Sequence, residues 1–217
     1  MRTKILKTRT ENRLATKCDN CPRERLFNDN CKNQALPQFS LEVLQEDLLS
    51  AIKDFYNNDF ELLDRNVHEI CIVSHIYHYF AMRFVNKYSG YHIDMEYNRN
   101  GRGAKYYCRN NYAIPDLIIH KRNCNLFNLL YAEFKANRKN HSEHDIEKLQ
   151  RFISDSFGEE NGHLVEPYRF KYGVSILLNR GNVDFLWYCS NDYNTPVRTT
   201  ICTSSWTPTI CFEADRM

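Results

Sequence analysis

Two carboxylates and one lysine are spaced to do chemistry together. Asp116 follows Pro115 and opens the apolar run Leu117-Ile118-Ile119, while Glu133-Phe134-Lys135 sits inside a second apolar run, Leu129 to Ala136. Side chains two residues apart on a strand point to the same face, so Glu133 and Lys135 look out on one side of theirs. With the two runs paired as a hairpin, the Asp116 carboxylate reaches Glu133. Two hard oxygen donors beside the Phe134 carbonyl suit Mg²⁺ or Mn²⁺ and leave positions for water and phosphate. Lys135 then stands where an ammonium can hold the attacking water or the scissile phosphate. A metal and a fixed cation together stabilise the charge that develops when water attacks a phosphodiester. Plainer roles compete: Asp116 as a turn residue, and Glu133 with Lys135 as the outer face of an edge strand. Against these, the strand is otherwise apolar, and two charges on a covered face are costly without a task.

The elements that must position this trio are legible from periodicity. Ser40, after Pro37, is a good N-cap for a helix with Leu41, Leu44, Leu48, Ile52 and Phe55 on one stripe, ending at Asn57-Asn58. A second helix is expected over 61–87, with Val67, Ile70, Val73, Tyr77, Phe80 and Phe84 aligned and Ser89-Gly90 as its stop. His92 to Tyr97 alternates as a strand, 98–111 is a polar basic loop, and Ala113–His120 and Leu129–Ala136 are strands. A third helix fits 143–157, followed by strands at 170–179 and 183–189 joined at Arg180-Gly181-Asn182. The tail, 191–217, is rich in Thr, Ser and Pro and is left unassigned. This order predicts an α/β (α+β-like) fold, a central mixed sheet flanked by helices on both sides.

Pro115-Asp116 with Glu133-Phe134-Lys135 resembles the motif of the PD-(D/E)xK nuclease superfamily, whose members share the restriction-endonuclease-like fold. Three features agree. Glu69, on the preceding helix in NVHEICIVSHI, resembles the acidic helix residue that many members place near the metal. The run IDMEYNR resembles a segment ahead of PD in a group of uncharacterised prokaryotic members. Asp145 and Lys148 resemble their aspartate and lysine on the helix after ExK. The resemblance covers roughly residues 60–180. It implies a Mg²⁺-dependent endonuclease acting on DNA, leaving 5′-phosphate and 3′-hydroxyl ends, with Asp116, Glu133 and Glu69 at the metal and Lys135 positioning the nucleophile. It also implies pairing as a homodimer. Asp94 and Glu96, on one face of their strand, compete for a place at the metal or for salt bridges to Arg83 or Arg99. Lys148 is expected either to contact phosphate or to snorkel from its helix. The alternative from another class is a nucleic-acid-binding or zinc-stabilised interaction module that keeps the fold without cleavage.

The wider composition sets limits. With 42% hydrophobic residues and only 7 Gly and 6 Pro in 217, the chain is neither collagen-like nor disordered in bulk. No run approaches 18 apolar residues, so no membrane-spanning helix is expected. The polar start carries no signal-like apolar stretch, which predicts a cytoplasmic protein whose cysteines are reduced thiols. Net charge is only +2, but cations cluster. Residues 1–36 form a basic, Cys-containing arm ahead of a nuclease-like domain at 37–217, its core at about 60–190. Arg99, Arg102, Lys105 and Arg138 stand as candidate contacts to nucleic acid. In the arm, Cys18-Asp-Asn-Cys21 and Cys31 could hold Zn²⁺ only with a distant fourth ligand such as Cys71, Cys108 or Cys124. His75 and His78 are spaced for a metal but equally for ordinary helix positions. A nucleophile elbow and Gly-rich phosphate loops are missing, which argues against serine hydrolases and nucleotide-binding enzymes.

Overall fold

Ser40 caps the first helix as its type predicts. Its hydroxyl accepts the Val43 N–H at 3.5 Å, and α1 (Leu41–Asn58) buries Leu44, Leu48, Ala51, Ile52 and Phe55. The computed structural model describes residues 39–100, 103–104, 106–108, 111–112, 114–122, 128–154, 158–160, 163–165, 168, 170–190 and 192–212. The chain divides into two units, Met1–Ala35 and Leu36–Met217. The basic arm, with Cys18, Cys21 and Cys31, lies outside the described residues, as do Arg102, Lys105 and Cys124.

The helix expected over 61–87 is two. A short α2 (Phe60–Asp64) ends in a turn, and α3 (Glu69–Lys87) starts afresh. Asn66 adopts φ 52°, a left-handed backbone that asparagine tolerates better than most residues and that no helix continues through. The Leu63 carbonyl at the break takes the Asn66 N–H at 3.1 Å and also the Asn137 side-chain amide at 2.9 Å, and the same amide donates to Asn66 Oδ1 at 3.1 Å. This break puts Glu69 in the first turn of α3 rather than mid-helix.

Past α3 run β1 (His92–Met95), β2 (Arg99–Asn100), β3 (Gly103–Ala104), β4 (Tyr106–Cys108), β5 (Asn111–Tyr112), β6 (Leu117–His120) and β7 (Asn128–Ala136). Then come α4 (Glu143–Ile153), β8 (Gly158–Glu160), β9 (His163–Val165), β10 (Phe170–Leu178), β11 (Asn182–Cys189), β12 (Asp192–Cys202) and β13 (Thr207–Phe212). One seven-stranded sheet has the order β1-β6-β7-β10-β11-β12-β13. It is mixed: β1, β6 and β7 pair antiparallel, β10 runs parallel to β7, and the remaining pairs are antiparallel.

Alternation along these strands splits the core in two. Leu117, Ile119, Leu130, Ala132, Phe134, Val174 and Ile176 join α1 and α3 on one face. Ile118, Tyr131, Leu186 and Tyr188 join Leu149, Phe152 and Ile153 of α4 on the other. There the Tyr131 and Phe152 rings stack at 4.5 Å and Phe152 stacks on Tyr168 at 4.4 Å. Gly173 lets α4 sit close: a Cβ there would lie 3.2 Å from both Ile153 Cγ2 and Leu149 Cδ2.

Several boundaries differ from expectation, each for a local reason. The strand expected over 92–97 stops at Met95, because Glu96 takes φ 48°. The one expected from Ala113 begins only at Leu117, after Pro115, which has no N–H to donate, and a bend at Asp116. The helix expected to 157 ends at Ile153, with Ser154 extended as its C-cap. Segment 98–111, expected as loop, holds the small β2–β3 and β4–β5 ladders. The Thr-rich tail, unassigned from periodicity, supplies β12 and β13. Its β-branched residues suit a pleated surface, and the sheet edge supplies the pairing.

Candidate active site

The site assembles at the C-terminal end of β7. Leu117 pairs with Ala132 as the last pair at this end of the ladder, so Asp116 lies just beyond it, beside the Glu133–Phe134 segment. The bend after Pro115 turns the Asp116 carboxylate back onto β7, where Oδ2 accepts the Phe134 N–H at 2.6 Å. Burial pushes the Asp116 carboxyl up to about 6, against the pull of that N–H and of Lys135.

Glu133 is 2% exposed, on the α4 face of the sheet. Its Oε1 accepts the Tyr131 hydroxyl at 2.9 Å and the Lys148 ammonium at 2.8 Å. Burial, then the charge of Asp116, push Glu133 up to about 8, and Lys148 only partly offsets this. Tyr131 was missed in the sequence, although its place two residues before Glu133 puts it on the same face.

Lys135, on the same face as Glu133, is the hub at the end of the strand. Its Nζ donates to Glu69 Oε1 at 2.8 Å and to the Phe134 carbonyl at 2.9 Å, and stands 3.3 Å from Asp145 Oδ2. Glu69 Oε2 also accepts the Ala136 N–H at 3.3 Å, so the first turn of α3 is stitched to the end of β7. Burial alone would lower the Lys135 ammonium, but Glu69, Asp116 and Asp145 outweigh it and hold it above its ordinary value. Asp145 sits in the first turn of α4, behind the Ser142 cap that accepts its N–H at 3.4 Å. Burial works against its charge, yet Lys148 at 3.0 Å and Lys135 keep its pKa low.

Two ammonium groups therefore face four carboxylates: Glu69, Asp116, Glu133 and Asp145. With all ionised, two negative charges are left over. Among the described residues no group of three or more His, Cys, Asp or Glu is arranged to hold a metal ion. The oxygen donors that neighbour one another at the end of β7 are the Asp116 and Glu133 carboxylates and the Phe134 carbonyl, while Glu69 is turned to Lys135. This all-oxygen set suits a hard divalent cation of the Mg²⁺ or Mn²⁺ kind, whose charge would favour the ionised form of both acids.

The remaining candidates separate from this centre. Asp94 is not at the site: it pairs with His120 Nε2 at 2.8 Å and with Arg122, and Glu96 lies beyond the strand end. Burial opposes the Asp94 charge, but His120 and Arg122 hold its carboxyl down at about 2. Arg83, a suggested partner of these acids, pairs with Asp54 at 2.5 Å. Lys148, expected at phosphate or snorkelling to solvent, is 8% exposed and points inward. Arg138 is exposed just past β7. Arg99 lies in β2, outside the seven-stranded sheet. His75 pairs with Asp59 at 3.1 Å, while the His78 ring lies against Tyr79. Cys71 is a free thiol on α3.

A second polar cluster shares the α4 face and was not foreseen. His141 Nδ1 lies 2.7 Å from Ser175 Oγ, and His141 Nε2 lies 3.4 Å from Asp184 Oδ2. Asp184 also accepts from Arg198 and from Thr200 Oγ1 at 2.9 Å. In the parallel register Ser175 is the partner of Glu133, so the two clusters adjoin across β7 and β10. Only pairing of strands distant in sequence brings them together.

No family model matches the chain, and neither a curated protein nor a solved structure shows detectable similarity to it. The fold itself is a mixed α/β sheet with helices packed on its faces. Among the described residues no helix is long and apolar enough to cross a membrane.

Proposed function

We propose that the chain is a metal-dependent nuclease with a restriction-endonuclease-like fold, a PD-(D/E)xK protein that hydrolyses DNA phosphodiesters. The observation that carries this is the juxtaposition at the end of the β6–β7 ladder: Asp116 on the Phe134 N–H, Glu133 and Lys135 flanking Phe134 on one strand, and the Phe134 carbonyl taking the Lys135 ammonium. The topology supports it, since α3, the antiparallel run β1-β6-β7, α4 and the parallel strand β10 follow one another with the acids at the centre.

Asp116 and Glu133, with the Phe134 carbonyl, are the groups that would hold Mg²⁺ or Mn²⁺. When bound, such an ion supplies Lewis-acid stabilisation of charge at the phosphate and a more acidic water. The protein's own part is positional. The Phe134 N–H fixes Asp116, and Tyr131 and Lys148 fix Glu133. Glu69 holds Lys135 where its ammonium can orient a nucleophilic water and offset the charge gained by the phosphate. Exposed Arg138 and Lys139, directly after β7, are placed to take up flanking phosphates. A cytoplasmic location and pairing of two copies to cut two strands belong to the same proposal.

One observation favours a binding module instead: Lys135 and Lys148 already occupy the Phe134 carbonyl and Glu133. The deciding experiment is cleavage of duplex, single-stranded and branched DNA and of RNA with Mg²⁺, Mn²⁺ or EDTA. Metal-dependent cutting that Asp116→Ala abolishes is expected. Binding without cutting under every metal condition would favour the module.

A further inference from the structure

Lys148 is an internal cation seated where a metal's charge would be wanted. Its Nζ is 2.8 Å from Glu133 Oε1 and 3.0 Å from Asp145 Oδ1, and its side chain is 10% exposed. An ion arriving between Asp116 and Glu133 would face this ammonium across a single carboxylate, and two cations at that separation in a poorly hydrated site repel strongly. Lys148 cannot retreat to solvent from beneath α4. It needs another buried acceptor.

The structure holds one. Asp145 Oδ2 is buried and has no hydrogen-bond partner among the described residues, and no other carboxylate oxygen described shares that condition. Lys135 Nζ lies 3.3 Å from it, near enough for an ion pair but outside hydrogen-bond geometry. Held only by this ion pair, the oxygen is incompletely satisfied for a buried acceptor and keeps room to take a second ammonium.

Resting on the metal-site proposal above, we infer that Asp145 and Lys148 form a cation-exchange device. When a divalent ion binds at Asp116 and Glu133, the Lys148 ammonium leaves Glu133 Oε1 and takes Asp145 Oδ2, swinging about the carboxylate it already touches. No proton is transferred and the charge count of the pair is unchanged. Both are positioning residues: Lys148 stabilises the acids before the ion arrives, and Asp145 receives it afterwards. Lys148 is thereby assigned inward, to the carboxylates, rather than to a phosphate of the nucleic acid.

Calorimetric titration of the full chain with Mn²⁺ tests the exchange. Lys148→Met removes the competing cation and should bind Mn²⁺ about tenfold more tightly, while melting at lower temperature without metal. Asp145→Asn removes the receiving acceptor and should weaken binding about tenfold or more, the range seen when groups supporting metal ligands are lost. Simple through-space repulsion would also tighten Lys148→Met, so a second readout is needed. In wild-type protein labelled at lysine nitrogen, the Lys148 ammonium resonance, assigned from Lys148→Arg, should move on Mg²⁺ saturation and stay still in Asp116→Ala. A resonance that does not move while Mg²⁺ binds overturns the exchange, as does Mn²⁺ affinity in folded Lys148→Met no tighter than wild type. If Lys148→Met does not fold, the wild-type resonance decides alone. Asp116→Ala binding Mn²⁺ as tightly as wild type is a separate result: it overturns the metal site itself.

Discussion

Asp116, Glu133 and Lys135 act through different physics, and their variants should separate accordingly. Asp116→Ala removes a metal donor but also relieves a buried like-charge pair, so cleavage and tight Mn²⁺ binding should vanish while metal-free stability holds or rises. Lys135→Ala leaves both acids in place. Metal should still bind, and turnover should fall on the order of a hundredfold through loss of charge stabilisation. Calorimetry beside a cleavage assay reads both. The same acids set a pH dependence. Unfolded, Asp116 and Glu133 ionise near their ordinary 3.8 and 4.5, whereas folded they keep protons up to about 6 and about 8. The native state therefore binds more protons than the unfolded one in this window. Metal-free stability must fall as pH rises from about 5 to about 8, by at most about 1.4 kcal/mol per pH unit per retained proton. Glu133→Gln should flatten the fall above pH 6, and saturating Mg²⁺ should do so in wild type, both followed by thermal melts. Asp94 works with the opposite sign. Its carboxyl is held at about 2, so the stability it contributes is lost only as pH drops from about 4 toward 2.

Two junctions between elements decide whether the acids meet. One is the break between α2 and α3, braced by the Asn137 amide on Leu63 and Asn66. Asn137 itself has φ 54°, a backbone that glycine adopts freely and alanine does not. Asn137→Gly should therefore cost about 1 kcal/mol, the worth of the lost hydrogen bonds, and Asn137→Ala about 1–2 kcal/mol more for backbone strain. Equal melting temperatures for the two variants would show that strain is not the issue. The other junction is α4 on β10. Gly173→Val pushes branched methyls into Ile153 and Leu149, already 3.2 Å from the position of a Cβ. A loss of about 1–3 kcal/mol is expected by chemical denaturation. Because Asp145 and Lys148 ride on α4, Mn²⁺ affinity should drop with it.

At the scale of the whole molecule, the candidate site lies within the unit Leu36–Met217. Residues 1–35 show no apolar periodicity, so removing residues 1–36 should leave one cooperative thermal transition. Its loss would mean that the arm supplies structure, through zinc or by docking as a strand. If the arm binds nucleic acid, its removal should also flatten the salt dependence of binding, since each phosphate contact releases counterions.

Helices with a clean 3.6-residue stripe and strands with alternating or continuous apolar runs were legible in the sequence. They depend on local burial, which residue type alone dictates. Asp116, Glu133 and Lys135 were legible as a group because a strand's period of two and a hairpin's pairing are local rules, whereas Glu69, on a helix, joined them only through the resemblance. The break at Asn66 was not, because it depends on an amide supplied from Asn137, more than 70 residues on. Nor was the edge of the sheet legible: Thr-rich β12 and β13 are strands because β11 offers a ladder to pair with. The inward turn of Lys148 and Asp145, the Tyr131 hydroxyl on Glu133, and the His141–Ser175–Asp184 cluster were decided only by the packing of α4 across β7, β10 and β11. Sequence determines which charges a chain carries; which of them must face one another in a dry interior is settled when distant segments close over them and exclude the water that would otherwise screen them.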